Sequence, residues 1–357
     1  MFRKSLIKPD GRSLQLYSRK EIKNQIVATN PKHGPIDAKP HLRWHPLRKE
    51  WVIYASHREG RTFLPPPEYS PLNPSNDPGF PTELPKGDYE VAVFENLYPS
   101  MKLFNEETKF TKFQASEGQC EVIVFTQESQ SHFKNLDTEH IQLILEVLAE
   151  RTQVLAKDKR IKYVMPFENR GIEMGVTLHH PHGQIYAYSF IPPVVDQIEK
   201  SMKEYYIEKG NTLIHDMIIN EIKTGERVIL ENDEMIAFIP ECARYPYETW
   251  ITSKKAHSWL HQLNADELFS LAHILKKIVT KYDNLWERPF PYLMIFYQAP
   301  VDEANYDHFH FYIQITPPYR GKDRLKFLAG TELGAGVFVN DSLPEEKAAE
   351  LRAIKIE

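Results

Sequence analysis

Cysteine is nearly absent from this chain of 357 residues: Cys120 and Cys242 are the only two. Isolated thiols build neither a disulfide framework nor a Cys-x-x-Cys metal clamp, which points to a reducing, cytoplasmic setting. No apolar run approaches the roughly 18 residues that a membrane helix needs. The opening Met1-Phe2-Arg3-Lys4-Ser5-Leu6-Ile7-Lys8 lacks the apolar stretch of a signal peptide. A surplus of positive charge is missing too. With 44 Lys and Arg against 49 Asp and Glu the net charge is −5, so no basic field invites nucleic acid. What remains is an ordinary globular composition, 41% hydrophobic and 26% charged, long enough for one large domain or two smaller ones.

Proline is plentiful and local. Residues 1–40 are polar, mixed in charge and interrupted by Pro9, Pro31, Pro35 and Pro40, and they are expected to form an irregular N-terminal arm. From Leu64 to Pro85 the prolines crowd further (Pro65, Pro66, Pro67, Pro71, Pro74, Pro78, Pro81, Pro85). So many missing N–H donors exclude helix and central strand, so a long surface loop is expected.

The chain also repeats itself. Glu121-Val122-Ile123-Val124-Phe125-Thr126 reads as a strand, and Asn135-Leu136-Asp137 leads into a helix with Ile141, Ile144, Leu145, Leu148 and Leu155 at helical spacing. A strand, Tyr163-Val164-Met165, then runs toward His180-Pro181-His182. The same order returns with Glu248-Thr249-Trp250-Ile251-Thr252 and a helix opened by the cap pair Asn264 and Glu267. That helix carries Leu268, Leu271, Ala272, Leu275 and Ile278, and Tyr292-Leu293-Met294-Ile295 leads to His308-Phe309-His310. Landmarks recur 127 to 129 residues apart: 121 with 248, 136 with 263, 165 with 294, 180 with 308. The repeat implies a duplicated α+β architecture, even where the copies share no function.

Chemistry concentrates in the first copy. Phe167-Glu168-Asn169-Arg170-Gly171 precedes Met174-Gly175-Val176-Thr177 and then His180-Pro181-His182-Gly183-Gln184. Period-2 spacing sends His180, His182 and Gln184 to one side of an extended segment. Gly183 would let a phosphate approach the backbone, and Gly171 and Gly175 would permit a loop around it. A neutral imidazole is a usable nucleophile at phosphorus. Gln184 can donate to a phosphoryl oxygen without protonating a leaving group, which favours transfer over hydrolysis. A bare His-x-His is more often a packed pair or two metal ligands; the long flanking pattern makes this string more specific.

These residues resemble the galactose-1-phosphate uridylyltransferase family, the transferase branch of the histidine-triad superfamily, from about His45 onward. The resemblance includes Trp51-Val52-Ile53 followed by Ser56-His57-Arg58-Glu59-Gly60-Arg61. It implies that His182 is the uridylylated nucleophile, Gln184 its phosphoryl-binding amide, and His180 an orienting neighbour. Arg58 and Arg61, two guanidiniums suited to a pyrophosphate, would bind phosphates with Asn169, Gly175 and Thr177. Glu95 and Asn96 would contact the nucleoside, and Lys326 and Glu332 would grip the hexose phosphate. The implied partners are UDP-glucose or a related nucleotide sugar, a hexose 1-phosphate, and a second copy of the chain in a homodimer with shared active sites. The implied fold is α+β: an arm (1–40) and two histidine-triad-like halves (41–195, with the catalytic motif, and 196–357). Each half would be an antiparallel sheet with helices on one face.

The departures carry their own expectations. Where the family holds zinc, this chain has Ser70 and Asn73 for the cysteine pair, Ser129, and His180; one good ligand of four does not hold zinc. The second family metal site keeps His308 and His310, expected in a strand, but Tyr297 replaces a histidine and Ile198, beside Glu199, replaces a carboxylate. No cofactor is therefore expected. In the sugar pocket Thr331 and Phe338 replace an aromatic and a glutamine, leaving the acceptor sugar open. Asn96-Leu97-Tyr98-Pro99 and Gly334-Ala335-Gly336 are similar to ADP-glucose phosphorylases. An ADP-sugar phosphorylase and a non-catalytic nucleotide-binding protein therefore stand as alternatives to UMP transfer from UDP-glucose to galactose 1-phosphate; a dinucleotide hydrolase is disfavoured by Gln184.

Overall fold

The computed structural model describes residues 1–31, 37–61, 64–104 and 113–356. Two hairpins open the chain: β1 (Phe2–Ile7) with β2 (Ser13–Ser18), and β3 (His41–His45) with β4 (Glu50–Tyr54). The Pro-rich segment holds the short strands β5 (Pro74–Ser75) and β6 (Leu84–Pro85). The first repeat comprises β7 (Val91–Glu95), β8 (Gln114–Ala115), β9 (Gly118–Val124), helix α1 (Thr138–Leu155), β10 (Tyr163–Arg170) and β11 (His182–Tyr188). Helices α2 (Pro193–Lys209) and α3 (Leu213–Thr224) lead to β12 (Val228–Glu231), β13 (Met235–Phe238), β14 (Thr249–Ser253), α4 (Ala265–Leu285), β15 (Tyr292–Tyr297) and β16 (Tyr312–Thr316). Short strands β17 (Tyr319–Gly321) and β18 (Arg324–Leu325) and helix α5 (Pro344–Ala353) follow.

The two halves share one sheet of eleven strands, ordered β1-β2-β7-β9-β11-β10-β15-β16-β14-β13-β12. They join at β10 and β15, where Phe167 lies opposite Ile295. Phe167 also pairs with Gln184, and Ile295 with Gln314. A local twofold through the Phe167–Ile295 pair therefore carries Gln184 onto Gln314, His182 onto Tyr312 and His180 onto His310. This register differs from the one the sequence motifs suggest, which sets His308 against His180. His308 and His310 lie in the turn before β16, not in a strand as expected.

Helix starts follow the local chemistry. Asp137 accepts the His140 N–H at 2.6 Å to open α1. Asn264 Oδ1 accepts the Glu267 N–H at 3.0 Å while Glu267 Oε2 accepts the Asn264 N–H at 2.8 Å, the expected reciprocal cap of α4. The apolar stripes of α1 and α4 pack on one face with Ile123, Ile185, Ala187 and Phe296. Helices α2 and α3 cover the opposite face of the second half, over Phe238, Tyr297 and Tyr312.

In the first half that opposite face is lined differently. Leu14, Leu16, Ile26, Leu72 and Leu84 pack on Phe94 and Val124. Here the structure departs from two expectations. Residues 1–40 are not simply an irregular arm, because β1 and β2 extend the sheet from β7. Period-2 spacing of Leu14 and Leu16 buries both leucines, and Pro9 and Pro31 fall outside the strands; Pro35 lies outside the described residues. The Pro-rich segment is not wholly superficial either, since Leu72 and Leu84 sit in that core and need no N–H donor to do so. The expected border between halves, 195/196, falls inside α2.

Candidate functional site

The turn from β10 into β11 builds the site. Gly171 (φ 91°) and Gly175 (φ 75°) flank a helical turn at Ile172–Met174 in a region that disfavours side chains. His182 is the first residue of β11, and its alternate neighbours Ile185 and Ala187 enter the α1 core. His182, Gln184 and Tyr186 therefore face away from α1.

His182 Nδ1 lies 2.7 Å from the backbone carbonyl of His180. A carbonyl only accepts, so Nδ1 carries the proton and Nε2 keeps its lone pair. Burial lowers the His182 pKa, which keeps the ring neutral and nucleophilic. His180 plays another part. Its Nε2–H donates to the Thr126 carbonyl at 2.8 Å, and its Nδ1 faces the Asn73 amide at 3.1 Å. Burial pushes its pKa down to about 4. The ring is a neutral tether between Thr126 and the Pro-rich segment, and its backbone oxygen aims His182.

Gly183 serves packing instead of the expected phosphate approach. It points toward α1, where a Cβ would sit 2.9 Å from Phe125 Cζ and 2.9 Å from the Phe167 carbonyl oxygen.

His182 stands between two cavities. One, of about 330 Å³, is lined by Asn169, Gly171, His180 and Phe290. The other, of about 130 Å³, is lined by Arg61, Leu72, Phe94, Asn96, Thr177 and Gln184. A nucleophile with room on both sides suits displacement at phosphorus, with the retained group in one cavity and the leaving group in the other. Arg61 forms no ion pair among the described residues; burial and the nearby Arg58 charge both lower its pKa. Arg58 donates to the Tyr98 carbonyl at 2.8 Å and lies 3.5 Å from the Tyr186 hydroxyl. It lines neither of these cavities.

The remaining expected residues scatter. Asn96 Oδ1 accepts the Tyr98 N–H at 2.9 Å, fixing the bend that shapes the smaller cavity. Glu95 lies off it, accepting the Ser13 N–H at 3.1 Å and lining an adjoining cavity of about 360 Å³. Gly175 shapes the turn without lining either cavity. Lys326 pairs with Glu332 at 3.3 Å, and neither lines the cavities beside His182. Sequence reasoning assigned no role to the apolar walls Leu72 and Phe94, to Glu83, or to Tyr186, because only packing between distant segments places them beside the named residues. It named Glu168 only as part of a string. Burial raises the Glu168 pKa to about 7, and Tyr292 donates to it at 3.0 Å, while Arg170 grips Asp283 with two bonds of 2.8 and 3.0 Å. These contacts lock the seam between the halves beside the larger cavity.

The residues at the family's zinc positions do not make a zinc-binding set. Both His180 nitrogens face other groups, the Ser70 hydroxyl accepts the Leu72 N–H at 3.3 Å, and Ser129 offers a neutral hydroxyl. At the second site, Glu199 meets His308 at 2.9 Å. His310 instead donates to the Ser253 carbonyl at 2.9 Å and faces the Thr212 hydroxyl at 3.1 Å, and Tyr297 stacks on Tyr312. Among the described residues no three His, Cys, Asp or Glu converge on one point.

Comparison with known proteins adds to this geometry. Residues 31–192 match the family described as galactose-1-phosphate uridyl transferase, N-terminal domain, and residues 198–357 its C-terminal domain. The galactose-1-phosphate uridylyltransferase of Thermotoga maritima is 36% identical over 88% of this chain and 99% of its own length. That of Saccharomyces cerevisiae is 33% identical over 87% of this chain and 93% of its own. Among solved structures, a uridylyltransferase superposes with a TM-score of 0.77 at 29% identity, covering 88% of this chain and 97% of the other. An ADP-glucose phosphorylase from Arabidopsis thaliana with bound ADP-glucose superposes at 0.67 and 26% identity, covering 89% and 100%.

Proposed function

The chain belongs to the galactose-1-phosphate uridyl transferase family, and from that premise we propose that it moves UMP from UDP-glucose to galactose 1-phosphate through a covalent nucleotidyl-His182. It is an enzyme, a transferase of galactose metabolism. The observation that carries the covalent route is the 2.7 Å bond from His182 Nδ1–H to the His180 carbonyl. Nε2 attacks the α-phosphorus, the P–O bond to glucose 1-phosphate breaks, and the leaving phosphate departs as an anion that needs no proton. The ring, now substituted on Nε2 and still protonated on Nδ1, carries a positive charge that the His180 carbonyl stabilises. Arg61, Thr177 and Gln184 meet the transferred phosphoryl group. In the second step an oxygen of galactose 1-phosphate attacks phosphorus, the P–N bond breaks, and neutral His182 returns.

Lys326 and Glu332 belong to this scheme only through a second copy. Their segment leaves Phe327 75% and Leu333 64% exposed, and neither Lys326 nor Glu332 lines the cavities beside His182 of its own chain. That supports a homodimer in which each copy lends this segment to the other's sugar phosphate. The mismatched donor sets support a reaction without resident zinc. Among the described residues no helix is long and apolar enough to cross a membrane, and two unpaired cysteines favour a reducing cytoplasm.

The test is to mix the protein with UDP-glucose and no acceptor, then weigh it intact. One uridylyl group per chain and one equivalent of glucose 1-phosphate are expected. Transfer without an adduct, with kinetics requiring both substrates bound together, overturns the covalent route. An adduct formed from ADP-glucose but not UDP-glucose leaves the mechanism standing and changes the donor.

A further inference from the structure

The match to the family begins at residue 31, so the hairpin β1–β2 lies outside it, yet two of its cations grip Glu83, which lines the smaller cavity beside His182. Lys8 is 2% exposed and Glu83 5%. Lys8 Nζ lies 2.8 Å from Glu83 Oε2 and donates to the backbone carbonyls of Glu83 at 2.5 Å and Thr29 at 2.8 Å. Arg12 donates from Nη2 to Glu83 Oε2 at 2.9 Å and to Asn30 at 2.7 Å, and from Nη1 to the Glu95 carbonyl at 2.8 Å. Its Nε meets Asp10 at 2.7 Å. Both cations also stand against Phe94, 5.2 and 6.0 Å from its ring centre. Glu83, Phe94 and Pro31 all line the smaller cavity, as do His182 and Gln184. A buried carboxylate clamped by two cations is a fixed acceptor.

We propose that Glu83, set in place by Lys8 and Arg12 of the N-terminal hairpin, selects the base of the donor nucleotide, taking a one-ring base with a ring N–H over adenine. The inference rests on the transferase reading above and deepens it. The cavity of about 130 Å³ has apolar walls in Leu72, Phe94, Leu97 and Val122, suited to a flat ring. Uracil presents a ring N–H that a carboxylate oxygen accepts. Adenine presents ring-nitrogen lone pairs, which a carboxylate repels, and donates only through its exocyclic amine. Arg12 is a positioning residue: its guanidinium binds the β1–β2 turn, the loop at Asn30, the end of β7 and the Pro-rich segment together.

The test measures UMP and AMP affinities by titration calorimetry, so it does not depend on turnover. Wild type should prefer UMP, and Glu83→Gln should cut that preference at least about tenfold, the scale of one charged hydrogen bond. Arg12→Ala should shift it the same way by less, with Arg12→Lys recovering part. Because Glu83→Gln strands Lys8 in the interior, the double variant Lys8→Met/Glu83→Gln removes the charge with its partner and should show the same lost preference. An unchanged UMP-to-AMP ratio in folded Glu83→Gln or in the double variant overturns the proposal. If wild type binds both nucleotides with the expected ratio but forms no adduct, the transferase reading fails and this one stands.

Discussion

His182 and Tyr312 occupy equivalent places in the two halves: each opens the strand that follows the turn, opposite Val124 and Thr252 respectively. The imidazole stands between two cavities, whereas the phenol is packed 5.0 Å from Tyr297 and 4.8 Å from Trp250, ring centre to ring centre. Burial raises the Tyr312 pKa well above its ordinary value, so it stays a neutral phenol. The fold is duplicated, but the imidazole at this position is not.

His182→Gly should abolish both the nucleotidyl adduct and transfer, since His180 has both nitrogens engaged and cannot take over the attack. Gln184→His should raise hydrolysis of UDP-glucose relative to transfer, because an imidazole there protonates the departing nitrogen as water attacks. Full turnover in His182→Gly, read by release of glucose 1-phosphate, removes His182 from the mechanism.

The arginines should separate. Arg61, which lines the cavity, should cost about 1.5–3 kcal/mol of the first half-reaction when changed to alanine. Arg58, tied to the Tyr98 carbonyl, should cost less and act by loosening the wall at Asn96–Tyr98. Rapid-quench measurement of adduct formation checks both; equal and negligible losses assign the pair to the surface.

Gly183→Ala should destabilise the protein by about 1–3 kcal/mol through overpacking against Phe125 and the Phe167 carbonyl. It should also slow adduct formation, because β11 must shift and carries His182 with it. Denaturant unfolding with calorimetry of UMP binding separates the two effects; a variant as stable as wild type refutes the packing account.

Stability should fall as pH drops from 6.5 toward 4. Burial holds His180 and His310 at a pKa of about 4, below the ordinary 6.5. Across that window the unfolded chain binds protons that the folded one refuses, so acid favours unfolding. Glu168 opposes this, its pKa being raised to about 7, so its contribution is present at low pH and lost as pH rises toward 7. His310→Gln lies away from the cavities and should flatten the acid slope by up to about 1.4 kcal/mol per pH unit, one proton's worth. Denaturant midpoints at pH 4.5 and 6.5 measure it, and an unaltered slope rules it out.

Much of this protein was legible one residue at a time. The stripes of α1 and α4, the cap at Asn264 and Glu267, the duplication and the string around His182 are all local, and local chemistry decides them: period, cap geometry and nucleophile type need no distant partner. Register was not local. Equal spacing set His308 against His180, but strand pairing across β10 and β15 sets His310 there, because a turn can change length while a hydrogen-bonded ladder cannot slip without reversing its faces. The proline-rich stretch and residues 1–40 read as periphery, since prolines and mixed charge outweigh the short alternation of Leu14 and Leu16. Only the tertiary structure brings Leu72, Glu83 and Phe94 together as walls of the cavity beside His182, with Lys8 and Arg12 holding Glu83 from behind. It also leaves Lys326 and Glu332 away from that cavity, since their place depends on how segments distant in sequence pack.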